Sequence, residues 1–287
     1  GQRLFGRRQQ ALRPPAPDLA PDLAPDLAPI AAGRLLHAVV NQFVAIGKLQ
    51  AARVFGPHLD RAGLRPDHRD AAVVVAEPSS NQPWIGHKGA LWLTARTTGV
   101  TAHGSMPELG VNAVYKAAGA IAKLEDFDFN IARDAILGKP TLNVGTVHGG
   151  MNINSVPDMA EIGIDIRTTP GQNHATIRSD LSGYLGDGVE LEAIVDVGGV
   201  LTDPANEWMQ EVFDIMSGIL GSRPETHTAA YFTDASALTP AYGGVPTVIL
   251  GPGEAAMAHQ TDEYCFVDRI GEAVEAYTEI ARRWNTE

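Results

Sequence analysis

Glu161-Ile162-Gly163-Ile164-Asp165-Ile166-Arg167 decides the fold of this chain. Three isoleucines alternate with charged or small residues, the period of a strand with one face buried. Upstream, Leu142-Asn143-Val144-Gly145-Thr146-Val147 reads as a neighbouring strand. Before it, Val114, Ala117, Ala118, Ile121 and Leu124 follow helical spacing. Earlier still, Leu91, Leu93 and Ala95 alternate with Trp92, Thr94 and Arg96, a half-buried strand. Downstream, residues 174–185 predict a helix and 191–197 a fourth strand. The order is β-α-β-β-α-β, ferredoxin-like. It covers residues 87–198 and predicts a compact sheet with two helices on one face.

The flanks have another texture. Ala71-Ala72-Val73-Val74-Val75-Ala76 ends at Glu77-Pro78. Val245-Pro246-Thr247-Val248-Ile249-Leu250 ends at Gly251-Pro252-Gly253, with His259 shortly after. Short all-apolar runs of this kind suit parallel strands covered on both faces. Ligands gather outside the carboxyl ends of such strands, where a carboxylate and an imidazole could share a zinc ion. Asp203-Pro204 predicts a helix start, followed by a stripe of Trp208, Val212, Ile215 and Ile219 and a stop at Gly221. A last helix carries Ile270, Val274, Tyr277, Ala281 and Trp284. The ferredoxin-like unit therefore reads as an insertion into an α/β domain made of residues 71–86 and 199–287.

The chain has 287 residues, 44% hydrophobic, enough for one large or two ordinary domains. No apolar run is long enough for a membrane helix and no signal peptide is evident, so a cytoplasmic protein is expected. A net charge of -12 argues against a nucleic-acid partner. A single cysteine, Cys265, excludes an internal disulfide framework and any cysteine-based zinc site. The charge is uneven. Residues 1–70 carry ten Lys and Arg against six Asp and no Glu, whereas the rest carries 12 basic and 28 acidic residues. Residues 11–29 repeat Pro-Asp-Leu-Ala three times, which suits an extended stretch. Residues 31–53 are apolar enough for one helix. The segment 1–70 is expected to be low in complexity and poorly ordered.

Several residues outside the core are candidates for chemistry, although each has an ordinary alternative. Glu77 can be a loop glutamate and His259 a surface histidine, with Asp262 or Glu263 placed to orient its imidazole. His103 lies in Thr101-Ala102-His103-Gly104-Ser105 and can be a turn residue. Asn154 suits a turn between strands. Arg167 can pair with Asp165 or Glu161, and Asp234 can cap a helix. Taken singly, each ordinary reading is the better one.

Taken together, the segments resemble the M20 metallopeptidase family, in particular its acetylornithine deacetylase and succinyl-diaminopimelate desuccinylase branch. The resemblance rests on Glu77-Pro78-Ser79-Ser80-Asn81, Lys88-Gly89, residues 99–105, Gly110-Val111-Asn112-Ala113 and residues 143–150. Asn154-Ser155-Val156-Pro157, Asp165-Ile166-Arg167, Thr233-Asp234-Ala235-Ser236 and residues 251–263 continue it in the family's order. It implies a zinc-peptidase-like α/β catalytic domain, incomplete here, with an inserted dimerisation or lid domain. The implied activity is metal-dependent removal of an acyl group from an N-acyl amino acid, acetylornithine above all. The implied alternatives are succinyl-diaminopimelate and a dipeptidase or carboxypeptidase substrate. Two Zn2+ per subunit are implied, or Co2+ in their place. Glu77 and His259 would be ligands, one per metal. His103 would reach a partner subunit's site and stabilise an oxyanion, and Asn154 and Arg167 would grip the substrate carboxylate. A homodimer through residues 87–198 would form by pairing of an exposed edge strand.

The family pattern also requires a His-x-Asp, a bridging Asp and a Glu-Glu pair upstream. Residues 1–70 contain no Glu, so neither member of the pair precedes Glu77. His58-Leu59-Asp60 has the His-x-Asp form but stands too near Glu77 to leave room for the rest. Leu4-Phe5-Gly6-Arg7 resembles the run before the bridging Asp, yet Ala11 falls where that Asp belongs. A start at Gly1 rather than Met suggests a truncated chain. A compensated frameshift across roughly residues 8–70 is expected, with a divergent natural N-terminus as the alternative, and the coding DNA decides between them. The chain as written is expected to be inactive, and a catalytically dead dimerisation or binding module is the alternative of another class.

Overall fold

The computed structural model describes residues 71–284. The expectations for residues 1–70, including the repeat, the helix at 31–53 and His58, lie outside the described residues. The chain runs through β1 (Val73–Val75), β2 (Trp84–His87), β3 (Gly89–Thr98), β4 (Ala102–His103), α1 (Ala113–Glu125), β5 (Thr141–Gly149), β6 (Ser155–Val156) and β7 (Met159–Thr168). It continues through α2 (His174–Leu185), β8 (Val189–Val197), β9 (Val200–Leu201), α3 (Glu207–Leu220), β10 (His227–Ala229), α4 (Ala235–Ala241), β11 (Thr247–Ile249) and α5 (Val267–Trp284).

β5-β7-β3-β8 form one four-stranded sheet, antiparallel throughout. This is the ferredoxin-like arrangement. Leu91, Leu93 and Ala95 stand opposite Ile166, Ile164 and Ile162, so the alternating residues share one face. That face is buried with Ala113, Ala117, Ala120 and Leu124 of α1 and Ile177, Leu181 and Leu185 of α2. Asn112 caps α1 by accepting from the Tyr115 amide, and Asn173 caps α2 by accepting from the Thr176 amide, each worth about 1 kcal/mol. His174 fixes the start of α2 between two strands, with Nδ1 2.6 Å from Asp196 Oδ1 and Nε2 2.8 Å from Thr168 Oγ1.

The second sheet has the order β1-β11-β2-β10, with β9 also on β2. β1 and β11 are parallel, with Val73, Val74 and Val75 opposite Thr247, Val248 and Ile249. Both faces are covered, which is why these strands are apolar without a break. Val73, Val75 and Ile249 pack with Ala235 and Val245, while Val74, Val248 and Leu250 pack against α3 and α5. Tyr277 of α5 donates to the Leu250 carbonyl at 2.6 Å.

One helix start differs from its sequence reading. Asp203 Oδ1 accepts from the Ala205 amide at 2.8 Å, a local turn. Its carboxylate is thereby used, and α3 begins at Glu207 with Asn206 as cap. Gly221 ends α3 at φ +74, the left-handed conformation that glycine adopts freely. The chain passes between the two sheets at Lys88 and again at Gly198-Gly199. A Cβ on Gly89 would stand 2.6 Å from the Gly199 nitrogen, so the two crossings lie against each other.

Candidate active site

Glu77 follows β1, and Gly251-Pro252-Gly253 follow β11, at the carboxyl ends of two paired parallel strands. Hydrogen bonds stitch these two exits together. The amides of Ser79 and Asn81 donate to the Gly251 carbonyl, and the Ser80 amide donates to the Gly253 carbonyl at 2.7 Å. Ser79 Oγ accepts from the Gly251 amide at 3.0 Å. Gly251 has no alternative, because a Cβ there would lie 2.5 Å from the Glu77 carbonyl oxygen. Ser80 and Asn81 both take left-handed backbone, at φ 56 and 57. Asn81 is fully buried and anchors the turn to α5, donating from Nδ2 to the Arg269 carbonyl at 2.8 Å and to Glu272 Oε2 at 2.9 Å.

This scaffold holds the Glu77 carboxyl half-buried among charged neighbours. Burial pushes it above the usual carboxylate range, and the Asp234 carboxylate adds to the rise. The His259 imidazole opposes it, while Glu263 adds a smaller push upward. Glu77, Asp234, His259 and Glu263 are thus electrostatic neighbours. His259 is exposed at φ 63, and its backbone amide, rather than its ring, bonds to Glu263 Oε2 at 3.2 Å. The expectation that Glu263 orients the imidazole is therefore corrected. Asp234 occupies the N-cap position of α4 without a capping bond from its side chain.

Among the described residues, no group of three His, Cys, Asp or Glu is close enough to hold a metal ion. Catalytic zinc normally takes three protein ligands. The described residues therefore do not by themselves fit a catalytic metal centre, and Glu77 and His259 are electrostatic neighbours.

His103 and Asn154 come together at one end of the four-stranded sheet. β4 and β6 form a two-stranded ribbon in which His103 pairs with Ser155, and the Gly104 amide donates to the Asn154 carbonyl at 2.7 Å. Both residues are exposed, and His103 Nδ1 lies 2.7 Å from Ser105 Oγ. Arg167 is elsewhere. It stands eight residues along β7 from Met159, which is about 26 Å of strand. Its Nε lies 2.8 Å from Asp165 Oδ1 and its Nη2 3.0 Å from Asp165 Oδ2. Glu161, the other expected partner, pairs with Arg96 instead.

Three aromatic residues that the sequence reading did not single out border Arg167 and Glu77. The Arg167 guanidinium carbon lies 5.8 Å from the Trp92 ring centre and 5.9 Å from that of Phe232. Trp92 and Phe232 meet edge to face at 6.0 Å. Tyr231, adjacent to Phe232, has its hydroxyl pushed up by burial and by Glu77. The available signal was Trp92 itself, an indole on the polar face of an alternating strand.

A family profile, the M20 peptidase dimerisation domain, matches residues 85–190. The acetylornithine deacetylases of Salmonella arizonae and Salmonella newport are each 29% identical over 253 residues, covering 82% of this chain and 61% of theirs. The chain thus carries an M20 peptidase dimerisation domain and is similar to acetylornithine deacetylases over most of its length. It spans about three-fifths of the length of those relatives. An M20 metallo-carboxypeptidase from Sulfolobus solfataricus shares the fold at a TM-score of 0.62 and 17% identity, over 75% of this chain and 64% of that one. A tripeptidase from Staphylococcus aureus does so at 0.59 and 22%, over 75% and 57%.

Proposed function

We propose that this chain carries the dimerisation and substrate-recognition part of a metal-dependent M20 amidohydrolase. The reaction of that enzyme is removal of the acyl group from an N-acyl amino acid, acetylornithine in the first place. Succinyl-diaminopimelate or a dipeptide is the next choice. The supporting observation is the place of Glu77 after β1, on a turn stitched to the exit of the parallel strand β11, with His259 as an electrostatic neighbour. In this reading they are one ligand for each of two Zn2+ or Co2+ ions, whose chemistry would be to activate water and polarise the amide carbonyl. Arg167 holds the substrate carboxylate.

His103 and Asn154 lie at the opposite end of β7 from Arg167. One small substrate meets both ends only when the β4–β6 ribbon comes from a second copy. This favours a homodimer through residues 87–198 in which His103 and Asn154 serve the partner's site. The β5 edge, with exposed Val147 and the fully exposed Ile153 beyond it, suits that pairing. No helix among the described residues is long and apolar enough to cross a membrane, and a cytoplasmic site of action is part of the proposal.

Glu77 and His259 are the two donors assigned among the described residues, and no general base is assigned among them. The chain is expected to bind an N-acyl amino acid with little or no turnover. The competing reading, a non-catalytic binding module, is favoured by the missing third donor among the described residues. Zinc titration with sizing, and hydrolysis assays on acetylornithine, succinyl-diaminopimelate and dipeptides, separate the two. Tight binding of two zinc ions favours the enzyme, and a stable metal-free dimer favours the module. Robust metal-dependent deacylation would overturn the claim of inactivity, and failure to bind any of these compounds would overturn the recognition role.

A further inference from the structure

We infer that Trp92 and Phe232 complete a carboxylate subsite with Arg167. The indole Nε1–H and the guanidinium Nη1 are its paired donors, and the Phe232 ring is the wall that closes over it. This deepens, and rests on, the reading of Arg167 as the carboxylate-holding residue. Asp165 Oδ2 accepts from Nη2 and Asp165 Oδ1 lies in ion-pair contact with Nε, which fixes the plane of the guanidinium. Nη1 remains, enclosed and without a partner among the described residues. Trp92 stands directly opposite Asp165 in the β3–β7 ladder, on the same polar face. Its Nε1 is likewise enclosed and unpartnered.

Enclosed donors are rarely left without an acceptor, and each such case calls for an explanation. Here two of them belong to side chains in ring-to-cation contact. Both can only donate, and the one enclosed acceptor beside them without a hydrogen bond, Asp165 Oδ1, is already in ion-pair contact with Nε at 2.8 Å, so the two free donors suit an acceptor and disfavour an ammonium or a second amide N–H. A carboxylate presents two acceptor oxygens and takes charge-assisted bonds from both. Phe232 lies against the indole and the guanidinium together, keeping water out and strengthening those bonds. Because Phe232 follows Tyr231, one loop borders this subsite and the surroundings of Glu77. The four-stranded sheet supplies Trp92 and Arg167, and the other part supplies Phe232. Entry therefore requires the two sheets to part about Lys88 and Gly198-Gly199.

The test uses the whole chain, N-acetyl-L-ornithine and its carboxamide. Indole N–H resonances are followed by NMR, with Trp92 assigned from Trp92→Phe. The carboxylate compound is expected to shift the Trp92 resonance while the carboxamide does not. Trp92→Phe keeps a ring and loses the donor, and is expected to weaken binding of the carboxylate by about tenfold, the scale of a hydrogen bond to a charged group. It should leave the weak binding of the carboxamide unchanged. Phe232→Leu is expected to narrow the preference for carboxylate over carboxamide. Loss of binding in Arg167→Lys, with an unmoved Trp92 resonance and normal affinity in Trp92→Phe, would overturn the subsite while leaving Arg167 its role. Unchanged binding in Arg167→Lys, or no binding by the unmodified chain, would overturn both. The NMR shift in the unmodified chain decides the matter even if a variant fails to fold.

Discussion

Replacing Asn81 by alanine severs the tie between the Glu77 turn and α5. The bond to the Arg269 carbonyl is neutral and contributes about 1 kcal/mol. The bond to Glu272 is charge-assisted, but that carboxylate is partly open to water, so about 1.5 kcal/mol is appropriate. Alanine tolerates the left-handed backbone at φ 57 poorly, adding about 1 kcal/mol. Removing Asn81 Oδ1, buried without a partner, returns about 1 kcal/mol. The net expectation is a loss of about 2.5 kcal/mol, or a Tm lower by roughly 5–10 °C for a body of this size. Urea unfolding followed by tryptophan fluorescence reads it, because Trp208 and Trp284 pack edge to face between α3 and α5. The cycle with Glu272→Ala should show a coupling of about 1.5 kcal/mol. A coupling below about 0.5 kcal/mol, the usual additivity error, or an unchanged urea midpoint in Asn81→Ala, would refute the claim that this residue pins the turn.

Glu77→Gln is expected to stabilise the metal-free chain at neutral pH. The folded state holds the Glu77 proton above the ordinary value of 4.5, so wild-type stability falls as pH rises through that window. The advantage of the variant should vanish at pH below 4.5, and urea midpoints across that range check it. Gly251→Ala forces a Cβ against the Glu77 carbonyl and is expected to cost about 2 kcal/mol by calorimetry, on the scale of core overpacking. Val147→Asp with Met151→Asp, both exposed, should leave the unfolding free energy within about 1 kcal/mol of wild type. Light scattering should show the pair of substitutions turning a dimer into a monomer.

The strands that were legible are those with a strict pattern. The alternation at 161–167 falls within β7, and the valine run at 73–75 is β1, because a sheet with one or two buried faces writes that fact into every residue. α2 spans residues 174–185, as the sequence predicts. The β4–β6 ribbon was not legible as structure. Each strand is two residues long, and its existence depends on a partner fifty residues away. The site shows the same division. Glu77 and His259 could be singled out by their places after apolar strands. The separation of Asn154 from Arg167 could not, since it depends on the register of a whole sheet rather than on local spacing. Phe232 was equally hidden, because its significance comes from a contact between the two sheets.

The contact between Gly89 and Gly199 has a consequence for how such a chain is assembled and altered. The four-stranded unit enters and leaves the rest of the molecule at one point, so its ends are already joined in space. A short bridge from Lys88 to Val200 would span that point with almost no loop-closure entropy. The unit can then be treated as a cassette, removed or exchanged as a whole, with the parent sheet still able to set β9 beside β2. Insertions of any length at this doorway would tax the host fold very little.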